Sequence, residues 1–190
     1  MVNSSREVEI KLALRDLVEA RARIEQAGLE ISHPRTFEAN FVFDTPGRTM
    51  AQAGHLIRLR QFGPTFSLTY KGPAARGKHK SREELEVQFN DFATLQLILE
   101  RLGYEVSFRY EKYRTEFTDG VGTVTVDETP IGDFLELEGS PDWIDRTAQR
   151  LGFSENEYVT QSYGALYNRY CEDKGTRPGH MIFSKSPLSP

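Results

Sequence analysis

A single cysteine, Cys171, stands in the 190-residue chain, so no internal disulfide can form, and with no base beside it in sequence it reads as a structural thiol. A cationic excess is also missing. The 24 Lys and Arg against 28 Asp and Glu give a net charge of −4, which excludes the strongly basic kind of protein that binds nucleic acid by neutralising phosphates. Any anion site has to be local, and no nucleic-acid partner is expected. No apolar run reaches the length of a signal-peptide core or a membrane span, so a cytoplasmic protein with no membrane partner is expected. Internal repeats are absent. Residues 175–190 are rich in Gly, Pro and Ser and are expected to form a flexible tail dispensable for folding, which leaves 1–174 as one domain with one core.

What the chain does contain is an unusual alternation. In Glu7-Val8-Glu9-Ile10-Lys11 the charged side chains fall on one side of a strand, and Val8, Ile10 and Leu12 fall on the other. The same parity recurs along the sequence. Arg58 and Arg60 oppose Ile57 and Leu59; Thr69 and Lys71 oppose Leu68 and Tyr70; Arg82, Glu84 and Glu86 oppose Leu85 and Val87. Further on, Lys112, Arg114 and Glu116 stand in register, Asp127 opposes Val126, and Glu136 and Glu138 oppose Leu135 and Leu137.

Between these strands the spacing predicts helices. Asp16 caps one whose stripe is Leu17, Ala20, Ile24 and Ala27, ended by Gly28; Asp91 caps another with Phe92, Leu95, Ile98, Leu99 and Leu102, ended by Gly103. Two more are expected, from Asp142 toward Leu151 and over Tyr163–Tyr170. An aromatic strand over Thr36–Asp44 and a hairpin around Gly63-Pro64 bring the expectation to about eight strands and four helices. The Gly72–Lys80 loop, with His79 between Lys78 and Lys80, is expected to be mobile and basic. His33, His55 and His180 show no metal spacing.

Helices with apolar stripes pack on apolar sheet faces, so the charged face is the one turned away from them. The expected fold is therefore α+β: a closed eight-stranded antiparallel β-barrel with a charged bore and helices outside. Charges of both signs in a confined bore are costly unless they are paired, hydrated or bound to a charged ligand. The acidic pairs Glu7/Glu9 and Glu136/Glu138 are oxygen donors suited to Mg²⁺ or Mn²⁺, and six or seven Lys and Arg suit a polyphosphate. A metal-bound triphosphate satisfies both.

These residues resemble the CYTH family, the triphosphate tunnel metalloenzymes that include class IV adenylate cyclases and thiamine triphosphatases. The resemblance runs through seven ordered segments: Glu7–Lys11, Leu56–Arg60, Thr69–Pro73, Arg82–Glu86, Lys112–Arg114, Asp127 and Phe134–Glu138. It implies that Glu7, Glu9, Glu136 and Glu138 bind the metal, with Asp127, Glu84 and Glu86 as further candidates. It implies that Lys11, Arg58, Arg60, Lys71, Arg82, Lys112 and Arg114 cradle the triphosphate, and that Lys11, Glu136 and Glu138 take part in catalysis. Gly132-Asp133-Phe134-Leu135-Glu136 and Ser162-Tyr163 are most similar to the cyclase branch, although the run Gly164-Ala165-Leu166-Tyr167 departs from it. The implied activity is conversion of ATP to cyclic AMP and pyrophosphate, the alternative is hydrolysis of an inorganic or organic triphosphate, and the third choice is a non-catalytic sensor. A homodimer is compatible with all three.

Overall fold

The computed structural model describes residues 5–75 and 77–188. Eight strands close into one barrel: β1 (Ser5–Ala13), β2 (Glu30–Asp44), β3 (Leu56–Phe62), β4 (Thr65–Lys71), β5 (Lys80–Phe89), β6 (Glu105–Thr118), β7 (Thr123–Thr129) and β8 (Gly132–Glu138). Their order around the barrel is β1-β5-β4-β3-β2-β6-β7-β8, with every neighbouring pair antiparallel. Closure pairs every strand with a neighbour on each side and gives each strand one face toward the bore.

The outer face carries the apolar core. Helix α1 (Leu17–Gln26) and helix α4 (Pro141–Arg150) cover the β1, β6, β7 and β8 side, where Ile10, Leu12, Val124, Val126, Leu135 and Leu137 pack against Ile24, Trp143, Ile144 and Leu151. Helix α3 (Phe92–Arg101) covers the opposite side, where Phe43 and Leu59 pack against Leu99 with Phe92 and Leu95. The caps are those read from the sequence: the Asp16 carboxylate accepts from the backbone N–H groups of Val18 and Glu19, and that of Asp91 from Thr94. Among the described residues no helix is long and apolar enough to cross a membrane.

Four features differ from expectation. Strand β2 begins at Glu30 rather than Thr36, because it follows β6 through two register shifts that absorb Pro34. A short helix, α2 (Thr49–Gln52), lies in what reads as a turn; it is held by Asp44, whose carboxylate accepts from the N–H groups of Met50 and Ala51. Helix α5 continues from Tyr163 to Lys174 and ends at Gly175, whose φ of 64° is the left-handed conformation a glycine takes without strain. The expected flexible tail is instead docked: the backbone of Met181 bonds to Arg109 and Glu111 of β6, and its side chain is buried. Residues 189 and 190 lie outside the described residues.

Trp143 dictates two glycines. A Cβ at Gly122 would stand 2.6 Å from its indole ring, and one at Gly139 would stand 2.8 Å from it. The ring cannot retreat, because its Nε1–H donates to Asp119 at 2.8 Å while the ring itself is buried in the core. Gly122→Ala is therefore expected to cost about 1–3 kcal/mol of unfolding free energy, the usual range for overpacking, as measured by urea denaturation; an unchanged midpoint would contradict this packing.

Candidate active site

The strand register brings the charged residues into one cavity of about 920 Å³. Glu7 lies opposite Arg82 across β1 and β5, Glu9 opposite Glu138, and Lys11 opposite Glu136 across β1 and β8. Because side chains alternate along each strand, the shared parity seen in the sequence becomes a shared lumen. Of the residues expected from the sequence, Glu7, Glu9, Lys11, Arg58, Arg60, Lys71, Arg82, Glu84, Glu86, Lys112, Arg114, Glu136 and Glu138 all line it.

The lining sorts into neighbourhoods. Carboxylate oxygens of Glu7, Glu9 and Glu136 lie within 4.8 Å of one another. Oxygen donors at that spacing suit a small, hard divalent ion such as Mg²⁺ or Mn²⁺, so these residues fit the metal that the resemblance implies. Lys11 borders the triad, with Nζ 3.3 Å from Glu9 and 3.6 Å from Glu136. Burial alone would lower the pKa of Lys11, but Glu136 and Glu9 outweigh burial and raise it, so the side chain stays a cation. Glu136 is ionised for the complementary reason: burial opposes its charge, and Lys11 and Arg114 overcome burial and hold its pKa well below the ordinary value.

Asp127 is placed differently from the metal triad. It is fully buried, and its two oxygens accept from Lys112 at 2.9 Å, from Arg114 at 2.7 Å and from the Tyr163 hydroxyl at 2.6 Å. These donors occupy the lone pairs a metal would need, and the carboxylate serves to orient Lys112 and Arg114. Glu84 and Glu86 also sit with cations: Glu84 is 2.8 Å from Lys71, and Glu86 is 3.5 Å from Arg58. Burial, together with a hydrogen bond shared with Glu7, raises the pKa of Glu84 to about 7, so Glu7 and Glu84 hold one proton between them.

Two contributors, Glu38 and Lys80, were not assigned to the site from the sequence, and a third, Tyr163, belongs to the Ser162-Tyr163 pair noted there. Glu38 on β2 is fully buried and binds Arg60 at 2.6 Å and Lys112 at 3.5 Å, with Asn40 donating to it at 2.8 Å. Its signal was present, since Glu38 and Asn40 share a parity inside an otherwise aromatic strand. Lys80, assigned to the loop, starts β5 and hydrogen-bonds Glu9. Tyr163, at the start of α5, lines the lumen and lies against Lys11 and Lys112, whose ammonium groups are 5.2 and 5.0 Å from its ring centre. The loop before β5 is tied down at its end: His79 and Lys78 both bond to Asp145 of α4.

Some donors are left over. Arg82 makes no ion pair among the described residues, and the Nε–H groups of Arg58, Arg60 and Arg82 are buried without a partner. Burying such donors is expensive unless a ligand accepts from them, and an anion with several oxygens does so best.

Comparison with known proteins agrees with this geometry. A family model described as "CYTH domain" matches residues 5–163. An adenylate cyclase (CyaB) of Aeromonas hydrophila is 30% identical over 173 residues, covering 84% of this chain and 87% of that protein. A Methanocaldococcus jannaschii protein named as a candidate adenylate cyclase is 28% identical over 135 residues, covering 70% of this chain and 77% of its own. The crystal structure of a candidate adenylate cyclase from Vibrio parahaemolyticus superposes with a TM-score of 0.74 at 25% identity, covering 86% of this chain and 98% of that one.

Two outcomes follow from the electrostatics. Glu38→Ala leaves Arg60 without its close buried counter-charge and Lys112 with Asp127 alone, and a loss of about 3–5 kcal/mol of stability is expected from denaturation curves; a loss below about 1 kcal/mol would place Glu38 among weak surface pairs instead. Partial enclosure in the lumen, and then Glu7, Glu136 and Glu9, raise the pKa of Glu138 to about 7 although its side chain keeps contact with water, well above the 4.5 it has unfolded. A raised carboxyl favours the folded state only while it is protonated, so in metal-free buffer the wild type loses stability from about pH 4.5 upward through pH 7. Glu138→Gln removes this loss, and the melting temperature of the variant relative to wild type is expected to climb across that window and level off above it. A constant difference from pH 4.5 to 8 would contradict the assigned environment.

Proposed function

The chain belongs to the CYTH family, and from that premise we propose that its tunnel binds a divalent-metal complex of an organic triphosphate and converts ATP to cyclic AMP and pyrophosphate. The observation that carries the reading is that the Glu7, Glu9 and Glu136 triad shares one lumen with the unpartnered guanidinium donors of Arg58, Arg60 and Arg82. A metal complex of a polyphosphate supplies what each half lacks. The relative in Aeromonas hydrophila, named an adenylate cyclase and matched over most of both chains, supports the choice of ATP.

Glu7, Glu9 and Glu136 would hold Mg²⁺ or Mn²⁺, with Glu138 beside them; such an ion neutralises charge on phosphate oxygens and helps align the reacting groups. The chain's own residues do the rest. Arg58, Arg60 and Arg82 donate to phosphate oxygens through their free N–H groups, and Lys71, Lys112 and Arg114, oriented by Glu84, Glu38 and Asp127, add positive charge along the phosphate chain. Attack of the ribose 3′-oxygen on the α-phosphorus forms the cyclic ester and breaks the bond to the β-phosphate bridging oxygen, which leaves with pyrophosphate. The proton of the 3′-hydroxyl passes to a carboxylate. Glu138 suits that role, since its raised pKa of about 7 matches a group that takes and returns a proton near neutrality. Lys11, held as a cation, faces the developing negative charge.

One observation favours a second reading, hydrolysis. Glu138 is exposed, so water reaches it and could be activated there in place of a ribose hydroxyl. Product analysis with Mg²⁺ or Mn²⁺ separates the two: cyclic AMP with pyrophosphate from ATP supports the cyclase, whereas phosphate released from ATP or inorganic tripolyphosphate identifies a triphosphatase. Glu136→Ala is expected to abolish metal-dependent turnover with the fold intact by circular dichroism, and normal activity would remove the metal assignment. Arg82→Ala is expected to weaken tripolyphosphate more than orthophosphate; equal losses would contradict a cradle spanning several phosphates.

A further inference from the structure

The chain does not stop where the family match ends at residue 163. Beyond α5, residues 176–188 turn back along β6 beside the tunnel opening. Met181 lies parallel to Tyr110, its N–H donating to the Arg109 carbonyl at 2.9 Å and its carbonyl accepting from the Glu111 N–H at 2.9 Å. Its side chain is buried with Phe134 and Tyr163 and against Phe108 and Tyr110. The second anchor is the buried Glu111 carboxylate on the outer face of β6, which accepts from the Phe183 N–H at 3.1 Å and the Ser186 hydroxyl at 2.6 Å. An ordered segment tied at both points has a fixed position relative to the lumen.

That position puts Pro178 and Gly179 into the wall of the cavity, with Val42, Leu56, Phe108 and Asn168. Apolar lining stands directly beside the phosphate-binding cations here: Val42 lies opposite Arg58 and Phe108, and Leu56 opposite Lys71, so next to the charged groups the cavity offers a proline ring, aliphatic side chains and the ring of Phe108, with the Asn168 amide able to donate and accept. A cavity of about 920 Å³ is at the large end of the range that holds a whole organic ligand rather than an inorganic ion.

We infer that residues 176–188 form a specificity strap, in which Pro178 and Gly179 complete a flat apolar slot for the nucleobase of a nucleoside triphosphate whose phosphates occupy the charged lumen. The inference rests on the triphosphate reading of the tunnel and adds to it the residues that choose the organic group. A planar heteroaromatic base matches flat apolar walls, and its polar edge finds the Asn168 amide. Met181 packs against Tyr163, which bonds to Asp127, so it is Pro178 and Gly179 rather than the whole strap that act on the base alone.

The test is calorimetric titration of the full-length protein in Mg²⁺ with ATP and, separately, with inorganic tripolyphosphate. It is repeated on a chain ending at Gly175 and on Gly179→Leu. A Cβ at Gly179 meets nothing within 4 Å, so the leucine is accommodated by the fold and projects into open space at the slot. Both variants are expected to weaken ATP by at least about fivefold, the lower end of what one base-stacking contact supplies, while in Gly179→Leu tripolyphosphate changes by less than about twofold. Equal changes for both ligands in Gly179→Leu, or unchanged ATP affinity in that variant, overturn the strap. If the shortened chain does not fold, Gly179→Leu alone decides. Wild-type protein that binds tripolyphosphate but not ATP overturns the strap while leaving the triphosphate reading in place, and wild-type protein that binds neither removes both.

Discussion

Everything in this structure depends on enclosing charge. A barrel whose strands alternate strictly between apolar and ionic side chains has one arrangement that keeps water from the apolar set, with helices outside and ions inside. The ionic side is then tolerable only as a network. Glu38 binds Arg60 and Lys112, Asp127 binds Lys112 and Arg114, and Lys71 bridges Glu7 and Glu84. Each pair offsets part of the desolvation of its members, and the residue of unmet need, in Arg82 and in the three close carboxylates, is where a ligand gains most.

The network also divides labour between carboxylates that composition cannot tell apart. Glu38 and Asp127 are fully buried and hold cations in position, so they set the shape of the cradle. Glu7, Glu9 and Glu136 converge on one another and have oxygens to give. Glu138 stays in contact with water at the end of β8, and its proton affinity is tuned upward by the part of it enclosed in the lumen and by its acidic neighbours. In the proposed reading one barrel therefore carries orienting, metal-binding and proton-accepting carboxylates on four of its strands, distinguished by what each faces.

Much of this was legible in the sequence, because a period of two is a local signal and the strand parity survives folding unchanged. The first strand, the Arg58/Arg60 strand and the Glu136/Glu138 strand appear in the lumen as read. What escaped reading is what depends on distant partners. Glu38 looked like one polar residue in an aromatic strand until β6 brought Lys112 opposite it. The first part of β2 was hidden by Pro34 and by bulges that only the pairing with β6 reveals. The strap was misread because its Gly, Pro and Ser content is that of a coil, while its anchor, Glu111, lies 72 and 75 residues away from Phe183 and Ser186. The glycines beside Trp143 carry no sequence signal at all, since only the packed indole shows why a side chain is barred there.

The central claim is that the carboxylate triad and the cation cradle are two halves of one ligand site. Electron paramagnetic resonance with Mn²⁺ tests it most directly, by counting bound ions with and without inorganic tripolyphosphate in wild type and in a Glu9→Gln, Glu136→Gln double variant. The account predicts that tripolyphosphate tightens Mn²⁺ binding in the wild type and that this coupling is lost in the variant. Mn²⁺ affinity that is indifferent to tripolyphosphate, or coupling that survives loss of both carboxylates, would contradict it.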